Sequence, residues 1–221
     1  MIIGFVGLIG SGKDTAADYL VNFHGFRRDS FASTLKDAVA HVFGWDRTLL
    51  EGRTNEAREW REQRDEWWST RLGKNITPRW ILQYWGTEVC RMGFHDDIWV
   101  ASLENKMRKT GDNIVISDVR FPNEIKAIHN SEGLVVRIKR GEDPDWFEAA
   151  ELYNRGPNGN SKWSLSKRKL DRLNIHASEY SWVGNNIDLT VYNDTTIDSL
   201  FDQIHIIVKD RVLDPLVAKA A

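Results

Sequence analysis

Apolar residues fall along this chain in two rhythms. Short apolar-rich runs, such as 2–6, 113–117 and 134–139, alternate with longer stretches in which apolar positions recur every three or four residues. Apolar-rich runs of that length predict buried strands, and the three-and-four rhythm predicts amphipathic helices. Five strands follow, over 2–6, around 25–30, and over 113–117, 134–139 and 188–192. Helices begin at Lys13, Ser33, Pro78, Ile98 and Pro122, and a last one runs from about Thr196 to Arg211. Pro78 and Pro122 suit the first helical turn, where a missing N–H costs nothing. Alternating β and α signals predict an α/β fold, with a five-stranded, mostly parallel sheet flanked by helices.

Two segments interrupt the alternation. Residues 45–77 are rich in Trp, Arg and Glu and predict a helical insertion. Residues 141–178 contain Arg-Gly-Pro-Asn-Gly-Asn and then a basic stretch with Lys162, Lys167, Arg168, Lys169 and Arg172, as a lid would. At 221 residues the chain is expected to form a single domain over 1–221 with both segments as excursions from its core. No repeat or low-complexity tract is evident.

Charge narrows the function classes. Thirty basic and 32 acidic residues give a net charge of -2, so no global field draws the protein to nucleic acid or to an anionic membrane. No apolar run approaches the ~20 residues a membrane span needs, and residues 1–6 pass into a glycine loop with no charged leader. The single cysteine, Cys90, excludes an internal disulfide and reads as a core residue. A cytoplasmic protein is expected.

Residues 7–15 read Gly-Leu-Ile-Gly-Ser-Gly-Lys-Asp-Thr directly after the first strand. Backbone N–H groups can crowd around a polyphosphate only where side chains are absent, which Gly7, Gly10 and Gly12 allow. Lys13 adds a point charge for the β- and γ-phosphates, and the helix that starts there adds its N-terminal partial charge. These features predict a P-loop kinase fold that binds ATP with Mg2+ through Gly10, Ser11, Gly12, Lys13, Asp14 and Thr15. The usual Ser or Thr after the lysine is replaced by Asp14, with Thr15 next. Either could serve the metal, as could Asp118. A plain glycine turn capped by Ser11 is the competing structural reading.

Further motifs follow in order. They are Phe31 to Lys36; Arg79, Leu82, Gln83, Gly86, Thr87 and Glu88, with Trp99-Val100 beyond; Asp118, Arg120 and Glu124; His176, Ser178 and Glu179; and Asn193-Asp194. In this order and spacing the chain resembles the bacteriophage deoxynucleoside monophosphate kinase family. The resemblance implies ATP-dependent phosphorylation of a deoxynucleoside monophosphate, a helical acceptor-binding insertion and a lid. It also implies acceptor contacts at Lys36, Arg79, Gln83, Gly86, Thr87, Trp99, Asp118, Arg120 and Glu124. Lys13, Asp118 and Arg120 would be catalytic, and Arg140 and Asn193 would join the P-loop around ATP.

Most of these positions carry a structural alternative. Lys36 could instead pair with Asp37 or Glu51. A helix over 78–92 would put Arg79, Gln83 and Thr87 on one face, with Gly86 leaving room for something to approach the backbone. That face could equally be a solvated stripe. Glu124 should point back toward the crevice at the strand ends, or else pair with Arg120. Asp194 or Thr195 could cap the last helix. Ten tryptophans, Trp60, Trp67, Trp68, Trp80 and Trp85 among them, read as core or subunit contact. A homodimer is compatible with that insertion and with the resemblance.

Two other functions fit part of the sequence. One is a small-molecule P-loop kinase acting on phosphomevalonate or dephospho-coenzyme A. The other is a nucleotide-dependent ATPase or switch, for which the charge balance offers no basic surface. No motif encodes base preference or the exclusion of ribonucleotides.

Overall fold

A computed structural model describes residues 1–157, 161–175 and 177–213. Along the chain the elements are β1 (Ile2–Val6), α1 (Lys13–His24), β2 (Arg27–Asp29), α2 (Ser33–Phe43), α3 (Arg47–Glu51), α4 (Asn55–Glu62), α5 (Glu66–Leu72) and α6 (Pro78–Tyr84). A π-helix (Trp85–Met92) continues α6. Then come α7 (Ile98–Thr110), β3 (Ile114–Ile116), α8 (Pro122–Asn130), β4 (Leu134–Lys139), α9 (Phe147–Asn154), α10 (Ser161–Arg172), α11 (Ala177–Tyr180), β5 (Leu189–Tyr192) and α12 (Ile197–Leu213). Helix starts at Lys13, Ser33, Pro78, Ile98 and Pro122 match the sequence expectation. The strands predicted around 25–30, 113–117 and 188–192 are shorter than expected, because pairing stops where the chain turns out of the sheet.

All five strands pair in parallel, in the order β2-β3-β1-β4-β5. The central β1 is buried along its whole length, sitting between β3 (Ile3 opposite Val115) and β4 (Gly4 opposite Val135). A central parallel strand is covered on both faces, which is why its sequence is unbroken Ile-Ile-Gly-Phe-Val rather than alternating. Parallel pairing aligns the C-terminal ends of β1, β3 and β4 at one edge, where open α/β sheets bind ligands.

The chain divides into two compact units. The first comprises Met1–Asp29 and Thr110–Ala221, and the second Ser30–Lys109. The chain therefore leaves the first unit after β2 and returns before β3. In the first unit Phe5, Leu20, Val136, Ile138, Leu200 and Ile204 form the core. Residues 141–178 carry α9, α10 and the start of α11 within it.

The second unit is helical, and side-chain caps set its short segments. Asp46 accepts from the Thr48 and Leu49 amides, Thr54 from Ala57, Asp65 from Trp68 and Thr77 from Trp80. Each such cap is worth about 1 kcal/mol. Its core joins Leu35, Val39, Phe43, Leu50, Ile76, Ile81 and Trp99, with Trp45, Trp60, Trp68, Trp80 and Trp85 packed partly buried against them. Most of these tryptophans thus pack against the core, one of the two roles expected of them. Trp67 is the exception, at 63% exposed. Cys90 is half-buried rather than fully in the core, and burial pushes its thiol up from the usual range.

Candidate functional site

Between β1 and α1 the chain makes a loop that only glycine permits. Gly7, Gly10 and Gly12 have φ of 145°, 77° and 103°. A Cβ on Gly7 would lie 2.4 Å from the Ile138 carbonyl oxygen, and one on Gly12 would lie 2.5 Å from Asn193 Nδ2, whereas at Gly10 it would meet nothing within 4 Å. Gly7 and Gly12 are thus fixed by close packing, and Gly10 leaves its side of the loop open. Asn193 Nδ2 donates to the Ser11 carbonyl at 2.9 Å and so clamps the loop. The Ser11 hydroxyl is buried beneath it.

Lys13 folds over this loop and donates from Nζ to the Gly7 and Leu8 carbonyls at 2.8 and 2.7 Å. Burial lowers its pKa most strongly and Arg120 lowers it further, while Asp14 and Glu179 act in the opposite sense without cancelling that effect. A cation held by two neutral carbonyls at a helix N-terminus is poised for an anion. The glycine cradle and this ammonium fit a polyphosphate, in agreement with the sequence.

The position after Lys13 is occupied differently. Asp14 Oδ1 accepts from Arg28 Nη2 at 2.7 Å and from the Ser117 hydroxyl at 3.0 Å. Arg28, whose side chain is only 16% exposed, also grips Asp18 at 2.9 Å. The Asp14 carboxylate expected for the metal is therefore neutralised by a guanidinium, while the Thr15 side chain is exposed beside it. Mg2+ keeps most of its water and asks the protein for one or two oxygen ligands besides substrate phosphates, a demand that Thr15 and Asp118 can meet. Sequence reasoning missed Arg28. Its one signal was Asp14 and Asp18, four residues apart on α1 and in need of a shared counter-charge.

Beyond β3, Arg120 Nη1 donates to the Ser178 hydroxyl at 3.1 Å and lies 3.8 Å from Glu179. The structure thus joins two of the sequence motifs, and His176 lies outside the described residues. Glu124 is 4% exposed, and its Oε2 accepts from the Arg120 and Phe121 amides at 2.8 and 3.2 Å. Through these bonds it caps the entry to α8, so the expected pairing with Arg120 is made to its main chain and not to its guanidinium. Arg140 is exposed just past β4. Asp194 accepts from the Gly141 amide at 2.6 Å, and α12 is capped by Thr196 through the Ser199 amide, so neither Asp194 nor Thr195 is its cap.

In the second unit, Lys36 is bound to Glu51 at 2.7 Å, one of the two partners anticipated. Arg79 Nε donates to Glu62 at 2.5 Å. Gln83 and Thr87 are exposed. The single four-residue stripe expected through Arg79, Gln83 and Thr87 is interrupted, because Thr87 falls in the wider π-helix that follows Tyr84. Gly86 is buried there for packing: a Cβ would sit 2.9 Å from Leu35 Cδ2, and the Trp99 indole donates to the Gly86 carbonyl at 2.9 Å. Trp99 is therefore a strut beneath the candidate acceptor residues.

No family model matches the chain. It is 35% identical to a protein of Acanthamoeba polyphaga mimivirus named "Putative deoxynucleotide monophosphate kinase", over 63% of this chain and 74% of that protein. It is 27% identical to the deoxynucleoside-5'-monophosphate kinase of Escherichia phage T5, over 61% of this chain and 74% of the relative. Among solved structures, a shikimate kinase from Aquifex aeolicus aligns over 97% of this chain and 99% of its own at 13% identity, with a TM-score of 0.45. A gluconokinase from Sinorhizobium meliloti aligns over 96% of each chain at 13% identity and a TM-score of 0.38. At these scores neither structure bears on the activity.

Proposed function

From the premise that the chain belongs to the deoxynucleoside monophosphate kinase family, we propose that it transfers the γ-phosphoryl group of ATP directly to a deoxynucleoside monophosphate. The observation that carries this reading is the Lys13 ammonium held over an open glycine cradle, where among the described residues its hydrogen-bond acceptors are main-chain carbonyls. An oxygen of the acceptor monophosphate forms the new bond to the γ-phosphorus. The bond from that phosphorus to the β–γ bridging oxygen breaks, leaving ADP and the deoxynucleoside diphosphate.

Little covalent chemistry is required of the protein, which works by positioning and charge stabilisation. The amides around Gly10 and Gly12 bind phosphate oxygens, and Lys13 exchanges its carbonyl partners for the β- and γ-phosphates. Arg120, steered by Ser178 and Glu179, counters charge on the transferring group, and Arg140 and Asn193 complete the ATP contacts. The acceptor monophosphate is already ionised at neutral pH, so no strong general base is assigned. Lys36, Arg79, Gln83 and Thr87 are assigned to the acceptor, with Gly86 and Trp99 shaping the backbone that carries them. When bound, Mg2+ would neutralise charge across the β- and γ-phosphates, with Thr15 and Asp118 as its protein oxygens.

A panel of deoxynucleoside monophosphates supplied with ATP and Mg2+ tests the reading through ADP release and diphosphate formation. ATP turnover indifferent to every monophosphate would overturn it.

A further inference from the structure

The sequence treats 45–77 as an insertion of aromatic and charged residues with no assigned task, yet its arginines are unevenly matched with acids. Arg61, on the last turn of α4, lays its guanidinium against Gly52 so closely that a Cβ there would stand 2.2 Å from Cζ and Nη2. Gly52 has φ of 66° and is buried, so the turn after α3 is shaped around this side chain. The Arg61 Nε is buried, and among the described residues it has no hydrogen-bond partner.

Arg58, one turn earlier, is anchored through Nε to the Gly52 carbonyl at 3.1 Å. Arg79 approaches from α6 with its Nε on Glu62. Glu51, an acid near Arg61, is already engaged: one of its oxygens takes Lys36 at 2.7 Å and the other takes Arg47 at 2.5 Å.

We propose that Arg61, flanked by Arg58 and Arg79, forms the binding site for a phosphomonoester dianion, namely the phosphate of the acceptor nucleotide. The assignment rests on the monophosphate-kinase reading for the identity of the ligand and on the arginine geometry for the existence of the site. With Glu51 taken by Lys36 and Arg47, the three guanidiniums share Glu62 and positive charge is left uncompensated, and a phosphomonoester carries close to two negative charges at neutral pH. Guanidiniums meet phosphate oxygens through paired N–H donors, which a lysine cannot copy. Burial and then the neighbouring Arg79 both press the Arg61 pKa downward, so the protein keeps this cation at a cost that an anion would relieve. Arg79 was expected at the acceptor from its motif. Arg61 belongs to no motif and is found only by asking which half-buried guanidinium has a buried Nε without a partner among the described residues.

The test uses Arg61→Gln and Arg58→Gln. Losing a charge-assisted contact in a desolvated site should raise the acceptor KM of Arg61→Gln about 10- to 100-fold while the ATP KM changes less than about twofold. An unchanged acceptor KM in an active enzyme overturns the site and leaves the kinase reading intact. A second arm needs no turnover. In the Lys13→Ala protein, whose P-loop cation is gone, millimolar inorganic phosphate should raise the melting temperature, and the added Arg61→Gln change should abolish that rise. If no monophosphate is ever phosphorylated but this phosphate effect is present, the kinase reading fails and the anion site stands. If Arg61→Gln does not fold, Arg58→Gln should still weaken the phosphate effect in the Lys13→Ala background. A melting temperature there that ignores phosphate overturns the proposal.

Discussion

Arg28 Nη2 reaches across from β2 to hold Asp14 Oδ1 at 2.7 Å, and thereby removes the carboxylate next to Lys13 from the list of free charges facing a bound polyphosphate. Cutting this tie should restore a repulsive anion beside the phosphates. Arg28→Met is expected to raise the ATP KM severalfold to about tenfold, and adding Asp14→Asn should recover most of the loss. The coupling is modest because Asp14 is 83% exposed and solvent screens it. Steady-state kinetics of the two single variants and the double variant measure it. Strict additivity of the two changes would show that the pair does not act together.

The loop glycines should separate into two classes. Gly7→Ala forces a Cβ against the fixed Ile138 carbonyl and should cost about 2–3 kcal/mol or more in stability, read as a fall in thermal midpoint. Gly10→Ala meets no atom, so it should cost about 1 kcal/mol for its φ of 77°. It should nevertheless lose ATP affinity by at least about tenfold, because the methyl projects from the open side of the cradle. Equal stability losses in the two variants would contradict this division.

Lys13 supplies a pH signature. Its folded pKa lies below the ordinary lysine value of 10.5, with burial the main cause and Arg120 the second depressing influence. In the free enzyme the ammonium therefore loses its proton earlier than an exposed lysine as pH rises. ATP affinity, measured by calorimetry, should begin to fall at a pH below 10.5, and binding on that limb should take up a proton. Lys13→Ala should fold normally, bind ATP weakly without this limb, and lose about 10²- to 10³-fold or more in turnover. Near-wild-type turnover in Lys13→Ala would remove the P-loop mechanism.

The parts legible in the sequence are those whose chemistry is local. The glycine loop, the helix starts at Pro78 and Pro122 and the apolar runs of β1 and β4 depend on neighbours within a few residues, so residue order alone exposes them. The Asn193 clamp on Ser11 was visible only as a motif, because the two residues stand 182 positions apart. Arg28 and Arg61 stayed hidden because a guanidinium's role depends on which carboxylates the fold brings within reach. The capping bonds of Glu124 stayed hidden for a related reason, since which amides a buried carboxylate meets depends on how the chain enters α8. The π-helix at Trp85–Met92 follows a pattern that reads as ordinary helix, and the contacts of Gly86 with Leu35 and Trp99 are tertiary.

That π segment gives the next prediction. Trp99→Phe keeps most of the buried ring but deletes the donor to the Gly86 carbonyl, and an unmade buried hydrogen bond costs about 1–3 kcal/mol. Thr87 shares the segment and Gln83 lies two residues before it, so the acceptor KM should rise while the ATP KM stays near its original value. A rise confined to the ATP KM would place Trp99's influence elsewhere.

Glu51 should make the second unit sensitive to acid. Burial raises its pKa, but hydrogen bonds and charge from Lys36 and Arg47 outweigh that and hold the carboxyl below its ordinary value of 4.5. A carboxylate with a depressed folded pKa contributes stability that is complete above its unfolded pKa and lost as pH falls through the folded one. Glu51→Gln should therefore lower the melting temperature at pH 7, because Lys36 and Arg47 lose their shared anion. The gap between variant and wild type should close below pH 4.5, where the wild-type carboxyl also becomes neutral. Melting curves from pH 7 to pH 3 supply the comparison, and a gap that stays constant across that range would mean that the Glu51 charge contributes nothing to the fold.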